Sequence, residues 1–229
     1  MAQKIAAIIP VAGRGKRFGG NQPKQYLKLD DRSVLCHTLN KFLSITEIGP
    51  VIVVTSAAEI ERSKEILSGE GVVFDRITFV EGGKERQDSV ANGLHSLPED
   101  TDIVIVHDGV RPFIKPEIIR ETIAVAERDG ACIVAVPAKD TIKEVRDNRV
   151  IRTVPRENLF QVQTPQTFKY SVLAQAHQRA KREKYYSTDE SSLVEWTGYP
   201  VTIVPGDYEN IKITTQEDYQ YSVQLMRRK

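Results

Sequence analysis

The stretch "IAAIIPVAGRGKRFGGNQPKQYLKL" covers residues 5–29. Its first five residues are apolar and predict a buried strand over residues 5–9, which Pro10 ends. The rest contains four glycines and five lysine or arginine residues, and no acidic residue occurs before residue 30. Glycine backbone N–H groups and nearby positive charge both favour phosphate oxygens. The stretch therefore predicts a strand that leads into a binding loop for a small anion.

Three kinds of phosphate loop were weighed against this spacing. A dinucleotide-binding loop needs a third small residue where Phe18 stands, and no acidic residue clearly ends the next predicted strand. A P-loop needs Ser or Thr after the lysine, but Lys16 is followed by Arg17. A looser cradle, in which Arg17 and Lys24 face a triphosphate, fits better. A solvated basic surface loop stays open as the alternative.

Strand-like and helical patterns alternate along the rest of the chain. Strands are predicted over residues 5–9, 51–55, 76–80, 103–107, 131–136 and 201–204. Helices are predicted from a Ser33 cap and over residues 57–67, 85–97, 116–128, 170–183, 189–196 and 215–226. Runs such as "VIVV" and "IVIV" are typical of strands covered on both faces. The pattern predicts an α/β fold with a mostly parallel sheet between two layers of helices.

The alternation stops after residue 137. Residues 137–159, which we call the arm, are polar and charged and contain a turn signal at Asp147 and Asn148. This pattern predicts a β-hairpin that projects from the sheet and needs a partner surface, because it cannot bury a core alone. No repeat or linker divides the chain, so we expect one domain over residues 1–229 with this arm.

The composition excludes several functional classes. Lys plus Arg is 32 and Asp plus Glu is 31, a net charge of +1 that argues against a general nucleic-acid binder. Cys36 and Cys132 are far apart and outside any CxxC pair, which favours a reducing compartment over a zinc site or a disulfide framework. The run over residues 5–9 is too short for a membrane span. We expect a cytoplasmic protein without a membrane partner.

Several motifs together resemble the cytidylyltransferases of sugar-alcohol phosphates. The glycine-rich loop continues into "PKQY", and the remaining motifs follow in the order of that family. They are "EGGKERQDSV" (81–90), "VHDGVRPF" (106–113), "KDTIK" (139–143), "VPRENLFQVQTPQTF" (154–168), "STDESSLVE" (187–195) and "ENIKITT" (209–215). The resemblance spans essentially the whole chain.

The resemblance implies a Rossmann-like twisted sheet and a homodimer built by the arm. It also implies transfer of CMP from CTP to a polyol phosphate, with release of pyrophosphate and with magnesium as cofactor. The arm sequence is more similar to members that act on 2-C-methyl-D-erythritol 4-phosphate than to members that act on ribitol 5-phosphate, which remain the alternative. Two other classes stay open, namely a nucleotide sensor without activity and a dehydrogenase.

The resemblance also implies roles for individual residues. The expected catalytic cations are Arg17, Lys24 and Lys212. The expected nucleotide contacts are Pro10, Ala12, Gly13, Gly15, Gly83, Ser89 and Thr164. The expected contacts to the polyol phosphate are Asp108, Arg111, Thr141, Arg156 and Thr188, with Thr141 and Arg156 reaching a neighbouring subunit's site. No metal ligand is assigned, although Asp108 is expected to lie near the magnesium.

Each expected role has a structural alternative. Asp108 could only cap a turn, Lys212 could be a solvated lysine that alternates out of an apolar strand, and Arg156 could pair with an acid in the arm. Thr188 lies in "STDE", where Ser187 and Glu190 have capping-box spacing. The chain also departs from the family at Val11, Lys84 and the Gly109–Val110 pair, where the family usually has Ala, Asp and Ala-Ala.

Overall fold

A seven-stranded sheet organises the part of the chain that the computed structural model describes, which is residues 3–12, 18 and 22–228. Its strands, in spatial order, are β11 (Thr202–Pro205), β7 (Ala131–Pro137), β10 (Phe160–Lys169), β6 (Ile103–Val106), β1 (Ile5–Pro10), β4 (Ile48–Thr55) and β5 (Ile77–Glu81). Only β10 runs antiparallel to its neighbours in this sheet. The predicted mostly parallel sheet is therefore confirmed.

Helices cover both faces of the sheet, as the sequence predicts. The helices are α1 (Val34–Leu43), α2 (Ala57–Gly69), α3 (Arg86–His95), α4 (Pro116–Asp129), α5 (Tyr170–Glu183), α6 (Glu190–Trp196) and α7 (Gln216–Met226). The core on one face takes apolar side chains from α1, α2 and α4. The core on the other face takes them from α3, α5 and α6. A third, smaller cluster joins α7 to the loop after β6.

Helix boundaries follow local capping chemistry. The Ser33 side chain accepts a hydrogen bond from the Cys36 backbone N–H, which confirms the predicted cap of α1. Helix α4 begins with Pro116 and ends at Gly130, whose φ of 89° suits glycine at a left-handed C-cap. Helix α7 begins at a capping box formed by Thr215 and Asp218.

Strand β10 was not predicted, and its composition explains why. The side chains from residue 163 to 168 are all buried, yet four of these six residues are Gln or Thr. Such a strand lacks the apolar run that marks the central strands. Its polar groups are satisfied inside the fold: Thr167 hydrogen-bonds Thr122, and Gln166 bonds the start of α6. Hydropathy alone cannot detect a central strand of this kind.

The arm forms the predicted hairpin. Strands β8 (Ile142–Arg146) and β9 (Arg149–Val154) pair antiparallel, and two short strands, β2 (Lys28–Leu29) and β3 (Arg32–Ser33), form a separate ribbon. Asp147 and Asn148 have φ of 49° and 60°, which is the turn geometry expected at this position. The hairpin leaves Val145, Val150 and Ile151 more than half exposed. Apolar side chains in this position are typical of a surface that a partner covers.

The two cysteines of the chain are free thiols in the core. Cys36 and Cys132 are buried and are not in a disulfide, and burial raises their pKa values to about 11 and about 12. Both are therefore protonated and unreactive near neutral pH.

None of the helices in the described ranges has the length and apolar character that crossing a bilayer requires.

The buried His177 of α5 predicts a loss of stability at mildly acidic pH. Burial in the first place, and then His95 and Arg86, lower its pKa to about 4, while Asp88 acts in the opposite direction. An unfolded histidine has a pKa of about 6.5, so between pH 6.5 and 4 the unfolded chain binds a proton that the folded chain does not. The free energy of unfolding should therefore fall, by roughly 1 kcal/mol for this residue between about pH 7.5 and 5.5.

Urea unfolding at these two pH values checks the expectation. His177→Leu should reduce the pH-dependent loss by that amount, whereas His95→Gln, at an exposed histidine of the neighbouring helix that contributes only part of the shift, should leave most of it in place. An equal loss in wild type and His177→Leu would refute the assignment.

Candidate active site

The functional side chains gather where the parallel strands end. Strand β6 ends at Val106, and the chain then turns through buried His107 and Asp108 to Arg111. The carboxyl ends of β1 and β5 lie at the same edge, because β1 pairs with β6 and β4 joins β1 to β5. Ligand sites of open α/β sheets form at this edge.

His107 orients the turn through a chain of hydrogen bonds. Its Nε2 lies 3.2 Å from the Arg111 carbonyl oxygen, which can only accept, so Nε2 carries the proton. Its Nδ1 then accepts from the Thr164 hydroxyl at 3.0 Å, and that hydroxyl accepts from the Asp108 backbone N–H at 3.1 Å. Burial lowers the pKa of His107 to about 3, so the ring is neutral near pH 7. His107 therefore serves the architecture of the loop rather than proton transfer.

Three cations surround the carboxylate of Asp108. Lys212 Nζ lies 2.9 Å from its Oδ2, Arg111 Nε lies 3.4 Å from the same oxygen, and Arg86 Nη2 lies 3.4 Å from Oδ1. Burial alone would raise the pKa of Asp108, but Arg86, Lys212 and Arg111 outweigh burial and hold the pKa well below its usual range. Asp108 is therefore ionised and fixes three positive groups at the strand ends.

Arg86 and Glu190 were not assigned from sequence and belong to the same network. Arg86, the first residue of α3, donates from Nη1 to both carboxylate oxygens of Glu190 at 2.8 and 2.6 Å. Burial raises the pKa of Glu190, and Arg86 opposes that rise. The pair joins the starts of α3 and α6 beside Asp108. An arginine and a glutamate at the starts of helices are usually solvated. The sequence alone therefore does not show that these two residues form a pair.

The structural alternative for Lys212, a solvated lysine that alternates out of a strand, is wrong. Residues 211–214 belong to no strand. The segment is held by buried Asn210, whose side chain donates to the Gln163 side chain and to the Thr164 carbonyl, and whose own carbonyl accepts from Arg111. These bonds fix the backbone next to Lys212. Its amino group therefore points to Asp108 rather than into solvent alone.

The turn after β5 forms a second wall of the site. Ser89 of α3 accepts from the Gly83 backbone N–H at 3.1 Å and donates to the Glu85 carbonyl. A Cβ at Gly83 would lie 2.2 Å from Asp88 Cβ, and a Cβ at Gly82 would lie 2.9 Å from Ala12 Cβ. Only glycine allows this close approach of the turn to α3 and to the end of β1. The structure thus brings the expected residues Ala12, Gly83 and Ser89 together.

Lys24 belongs to a one-turn 3-10 helix, Lys24–Tyr26, that is firmly anchored. The Gln25 amide donates to the Val11 carbonyl just beyond β1, and the buried Tyr26 hydroxyl lies 2.7 Å from Ser63 Oγ of α2. Lys24 itself is half-buried. The "PKQY" motif is therefore a fixed support beside the end of β1, rather than part of a loose loop.

Of the glycine-rich loop, Gly13, Gly15 and Arg17 lie outside the described residues. The expected residues on its near side, Pro10 and Ala12, are the last residue of β1 and a half-buried residue directly after it. The Val11 backbone N–H, between them, donates to the Val54 carbonyl at 2.7 Å. The backbone that leads into the loop is thus fixed to the neighbouring strand.

Thr188 lies on an outer pocket of about 690 Å³ that is also lined by Lys84, Arg86 and Tyr186. The predicted Ser187–Glu190 capping box is wrong, because α6 is capped by Asp189, whose carboxylate accepts from the Ser192 backbone N–H. Thr188 is exposed just before this cap. It is therefore available to a ligand, and no capping role occupies it.

The arm residues Thr141 and Arg156 lie apart from the Asp108 network. Both are exposed, and Arg156 donates to the Lys139 carbonyl at the base of the arm rather than to an acid. Within the described residues, no hydrogen bond or ion pair joins either of them to Asp108, Arg111 or Lys212. Neither residue thus contacts the Asp108 network of its own chain directly.

The described residues contain no group of three or more His, Cys, Asp or Glu side chains placed to hold a metal. Two carboxylates of the cluster are buried: Asp108 already contacts three cations, and Glu190 is paired with Arg86. Magnesium prefers oxygen ligands and commonly uses one or two carboxylates together with substrate phosphates. The residues present would therefore suit a magnesium ion that arrives on a nucleotide better than one held by the protein alone.

The two departures at Val11 and Gly109 fit each other in space. A Cβ at Gly109 would lie 2.2 Å from Val11 Cγ1 and 3.1 Å from Ile9 Cγ2. Gly109→Ala should therefore destabilise the protein by about 1–3 kcal/mol through overpacking. When Gly109→Ala is made in the Val11→Ala background, most of this loss should disappear relative to Val11→Ala alone, because the conflicting methyl groups of Val11 are removed.

A double-mutant cycle by urea unfolding measures this coupling, with Val11→Ala as the second single variant. We expect the two changes to be non-additive by at least about 1 kcal/mol. Additive losses would mean that Val11 does not set the need for glycine at position 109.

Comparisons with known proteins agree with this architecture. The family model described as "IspD: 2-C-methyl-D-erythritol 4-phosphate cytidylyltransferase" matches residues 5–228. A protein of that name from Desulforamulus reducens is 45% identical over 227 residues, which is 98% of this chain and 97% of the relative. Another from Geotalea uraniireducens is 45% identical over 218 residues, covering 94% of this chain and 93% of the relative.

Solved structures give the same result. The 4-diphosphocytidyl-2C-methyl-D-erythritol synthase of Anaerococcus prevotii superposes with a TM-score of 0.87 at 33% identity, over 99% of this chain and 97% of that chain. The 2-C-methyl-D-erythritol 4-phosphate cytidylyltransferase of Thermus thermophilus superposes with a TM-score of 0.80 at 31% identity, over 98% and 100%. Both the family match and the relatives extend over nearly the whole chain, so this chain belongs to the 2-C-methyl-D-erythritol 4-phosphate cytidylyltransferase family.

Proposed function

We propose that this chain transfers the cytidylyl group of CTP to 2-C-methyl-D-erythritol 4-phosphate and releases pyrophosphate. The observation that carries the proposal is the set of three cations, Arg86, Arg111 and Lys212, fixed on buried Asp108 at the strand ends. The reaction brings two polyanions together, and fixed positive groups offset their repulsion. The relatives carry the name of the methylerythritol enzyme, which favours this acceptor over ribitol 5-phosphate.

The chemistry needs no general base from the protein. A phosphate monoester has its second pKa at about 6, so the acceptor is already largely a dianion near pH 7. One of its oxygens attacks the α-phosphorus of CTP, a new P–O bond forms, and the bond from that phosphorus to the bridging oxygen of the pyrophosphate group breaks. The buried, neutral His107 has both ring nitrogens engaged and takes no proton in this scheme.

The proposed cations share this work. Arg17 and Lys24 bind the triphosphate and stabilise the charge that develops in the transition state, and Lys212 supports the α-phosphate. Positioning these groups before the reaction avoids reorganisation during it, and removal of one such donor commonly costs about 10²–10³ in kcat. The Asp108 carboxylate, Arg111 and Thr188 contact the polyol phosphate.

The nucleotide lies across the ends of β1 and β5 in this scheme. Gly83 and Ser89 shape one wall, and Pro10 and Ala12, with Gly13 and Gly15, shape the other. The Thr164 hydroxyl is already shared between the Asp108 backbone and His107, so it positions the Asp108 loop. The Gly82 N–H donates to the Thr55 carbonyl and the Gly83 N–H donates to Ser89, so this turn is fixed before the nucleotide binds.

Magnesium is part of the proposal as a companion of CTP. When bound to the nucleotide phosphates, it neutralises part of their charge and of the charge on the departing pyrophosphate. Asp108 is the residue that would lie nearest to it. Lys24, Lys212 and Arg17 supply the remaining compensation from the protein.

The functional unit is proposed to be a homodimer formed through the arm. Exposed Val145, Val150 and Ile151 on the hairpin offer apolar area for a second copy. Arg156 and Thr141 then reach the phosphate of the acceptor in the neighbouring subunit's site, which is consistent with their lack of a direct contact to Asp108 of their own chain. A single domain over residues 1–229 with this arm, and a cytoplasmic location, remain predictions.

Pyrophosphate release tests the reaction directly. With CTP and magnesium, we expect release with 2-C-methyl-D-erythritol 4-phosphate and at least about 100-fold less with ribitol 5-phosphate, since the pocket groups that bind one polyol are left unpaired by the other. Lys212→Ala should lower kcat by about 10²-fold or more. Preferential release with ribitol 5-phosphate would move the chain to that substrate, and no release with either would favour a nucleotide sensor.

Subunit complementation tests the shared site. Lys24→Ala and Arg156→Ala homodimers should each be nearly inactive. If Arg156 acts across the interface, a heterodimer of the two contains one intact site and should regain roughly half the wild-type kcat per dimer, to within a factor of about two. Mass spectrometry verifies the heterodimer, and absence of recovery in it would refute the shared site. Arg152→Ala, at an exposed arm residue paired with Glu144, is the matched control.

A further inference from the structure

A second cavity lies between α3 and α5, outside the Asp108 network. Its volume is about 660 Å³, within the range of about 300–1,000 Å³ that holds small organic ligands. The lining includes the apolar side chains of Ala91, Leu94, Ala174 and Ala180 and the rings of Tyr170 and Tyr185. Asp108, Arg111 and Lys212 do not line it. This space is therefore distinct from the site proposed for nucleotidyl transfer.

The cavity is lined by two lysine side chains and by one carboxylate. Lys181 and Lys184, at the end of α5, line it and are exposed, and neither has a hydrogen-bond or ion-pair partner within the described residues. The carboxylate that lines it, Asp88, already accepts from the Glu85 backbone N–H and from the Tyr186 hydroxyl. The lining thus contains two unpaired ammonium groups and one carboxylate, Asp88, that is already hydrogen-bonded. The cavity therefore favours a ligand with negative charge.

His177 provides an independent sign of an unfilled polar site. It lines the cavity, is 7% exposed, and its Nε2 has no hydrogen-bond partner among the described residues. A buried polar nitrogen without a partner costs about 1–3 kcal/mol, so such groups are rare without a functional reason. A ligand oxygen would supply the missing partner if the ring turns toward the cavity.

Aromatic rings define the rest of the lining. The Tyr185 ring is stacked on the Trp196 ring, with 4.1 Å between the ring centres and an interplanar angle of 4°. The guanidinium carbon of Arg179, a residue of α5, lies 4.4 Å from the centre of the Trp196 ring. Tyr185 is thereby held rigid at the wall. Tyr186 is 60% exposed and lines both this cavity and the outer pocket. Rigid rings of this kind favour a flat apolar group, with which they stack.

We propose that the cavity between α3 and α5 binds a small phosphate monoester whose carbon part is an aromatic ring. The phosphate lies between Lys181 and Lys184, and the ring packs against Ala91, Ala174 and Tyr185. Gln87 separates this ligand from the outer pocket of the transfer site: its Nε2 donates to the Tyr185 carbonyl at 3.0 Å and its Oε1 accepts from the Ser187 N–H at 2.9 Å.

Equilibrium binding of 1-naphthyl phosphate to the full-length protein tests the proposal. The probe is largely a dianion at about pH 7.5. It should bind at least about tenfold more tightly than either 1-naphthol or inorganic phosphate, because only the ester satisfies both the rings and the lysines. Titration calorimetry measures all three probes in the same buffer.

Three variants locate the bound probe. Lys181→Gln/Lys184→Gly removes both charges, and glycine accepts the φ of 52° found at position 184. Ala174→Trp fills the cavity with a ring. Each should raise the Kd of 1-naphthyl phosphate by about tenfold or more, whereas Lys212→Ala, at the transfer site, should change it by less than about twofold.

The opposite pattern would overturn the proposal. Binding that is lost in Lys212→Ala and kept in the lysine double variant would place the probe at the Asp108 network instead. Equal affinity for 1-naphthol would remove the anionic part of the ligand class, and no binding to wild type at about 5 mM probe would remove the site. If Ala174→Trp does not fold, the lysine double variant decides, because both of its positions are exposed.

Discussion

The site depends on the ion pairs that the buried carboxylate of Asp108 makes with three cations. This carboxylate holds Arg86 from the start of α3, Arg111 from the loop after β6 and Lys212 from the segment before α7. These three regions are far apart in sequence and meet only because the strand ends bring them to one edge. Removing one partner of a buried ion network typically costs about 3–5 kcal/mol, since the other charge stays buried and unpaired. Stability and the arrangement of positive charge are therefore one property of this protein.

The rest of the site consists of devices that keep the Asp108 loop in place. Thr164 and His107 fix its backbone, Asn210 fixes Arg111, and Glu190 fixes Arg86. All of these supports are buried, so the low local dielectric strengthens each hydrogen bond and raises the cost of breaking it. A transferase that only brings anions together benefits from this rigidity, because positive groups held in place need no reorganisation when charge develops.

The sequence was sufficient for the parts of the fold that obey simple periodicity. The apolar strands, the capped helices and the Asp147–Asn148 hairpin were predicted close to their observed positions. Strand β10 was missed because most of its buried residues are Gln and Thr, whose hydrogen bonds arise only from tertiary packing. Arg86 and Glu190 were missed for a related reason: at helix starts their charges look solvated, and their pairing depends on how α3 and α6 lie against the sheet. Asp108, Lys212 and Arg111 came from the family resemblance, and the structure adds that Lys212 and Arg111 both contact Asp108.

The Gly109–Val11 pair shows how a departure from the family pattern can be harmless to the site. Val11 adds bulk beside β6, and Gly109 removes a side chain at the point where that bulk is directed. The neighbouring Asp108 keeps its backbone bond to Thr164 and its three cations. Because a packed core responds to volume rather than to residue identity, two changes in contact can conserve a geometry that either one alone would disturb. Asp108, Arg111 and Lys212 keep their contacts, and these two departures fall on residues that pack behind them.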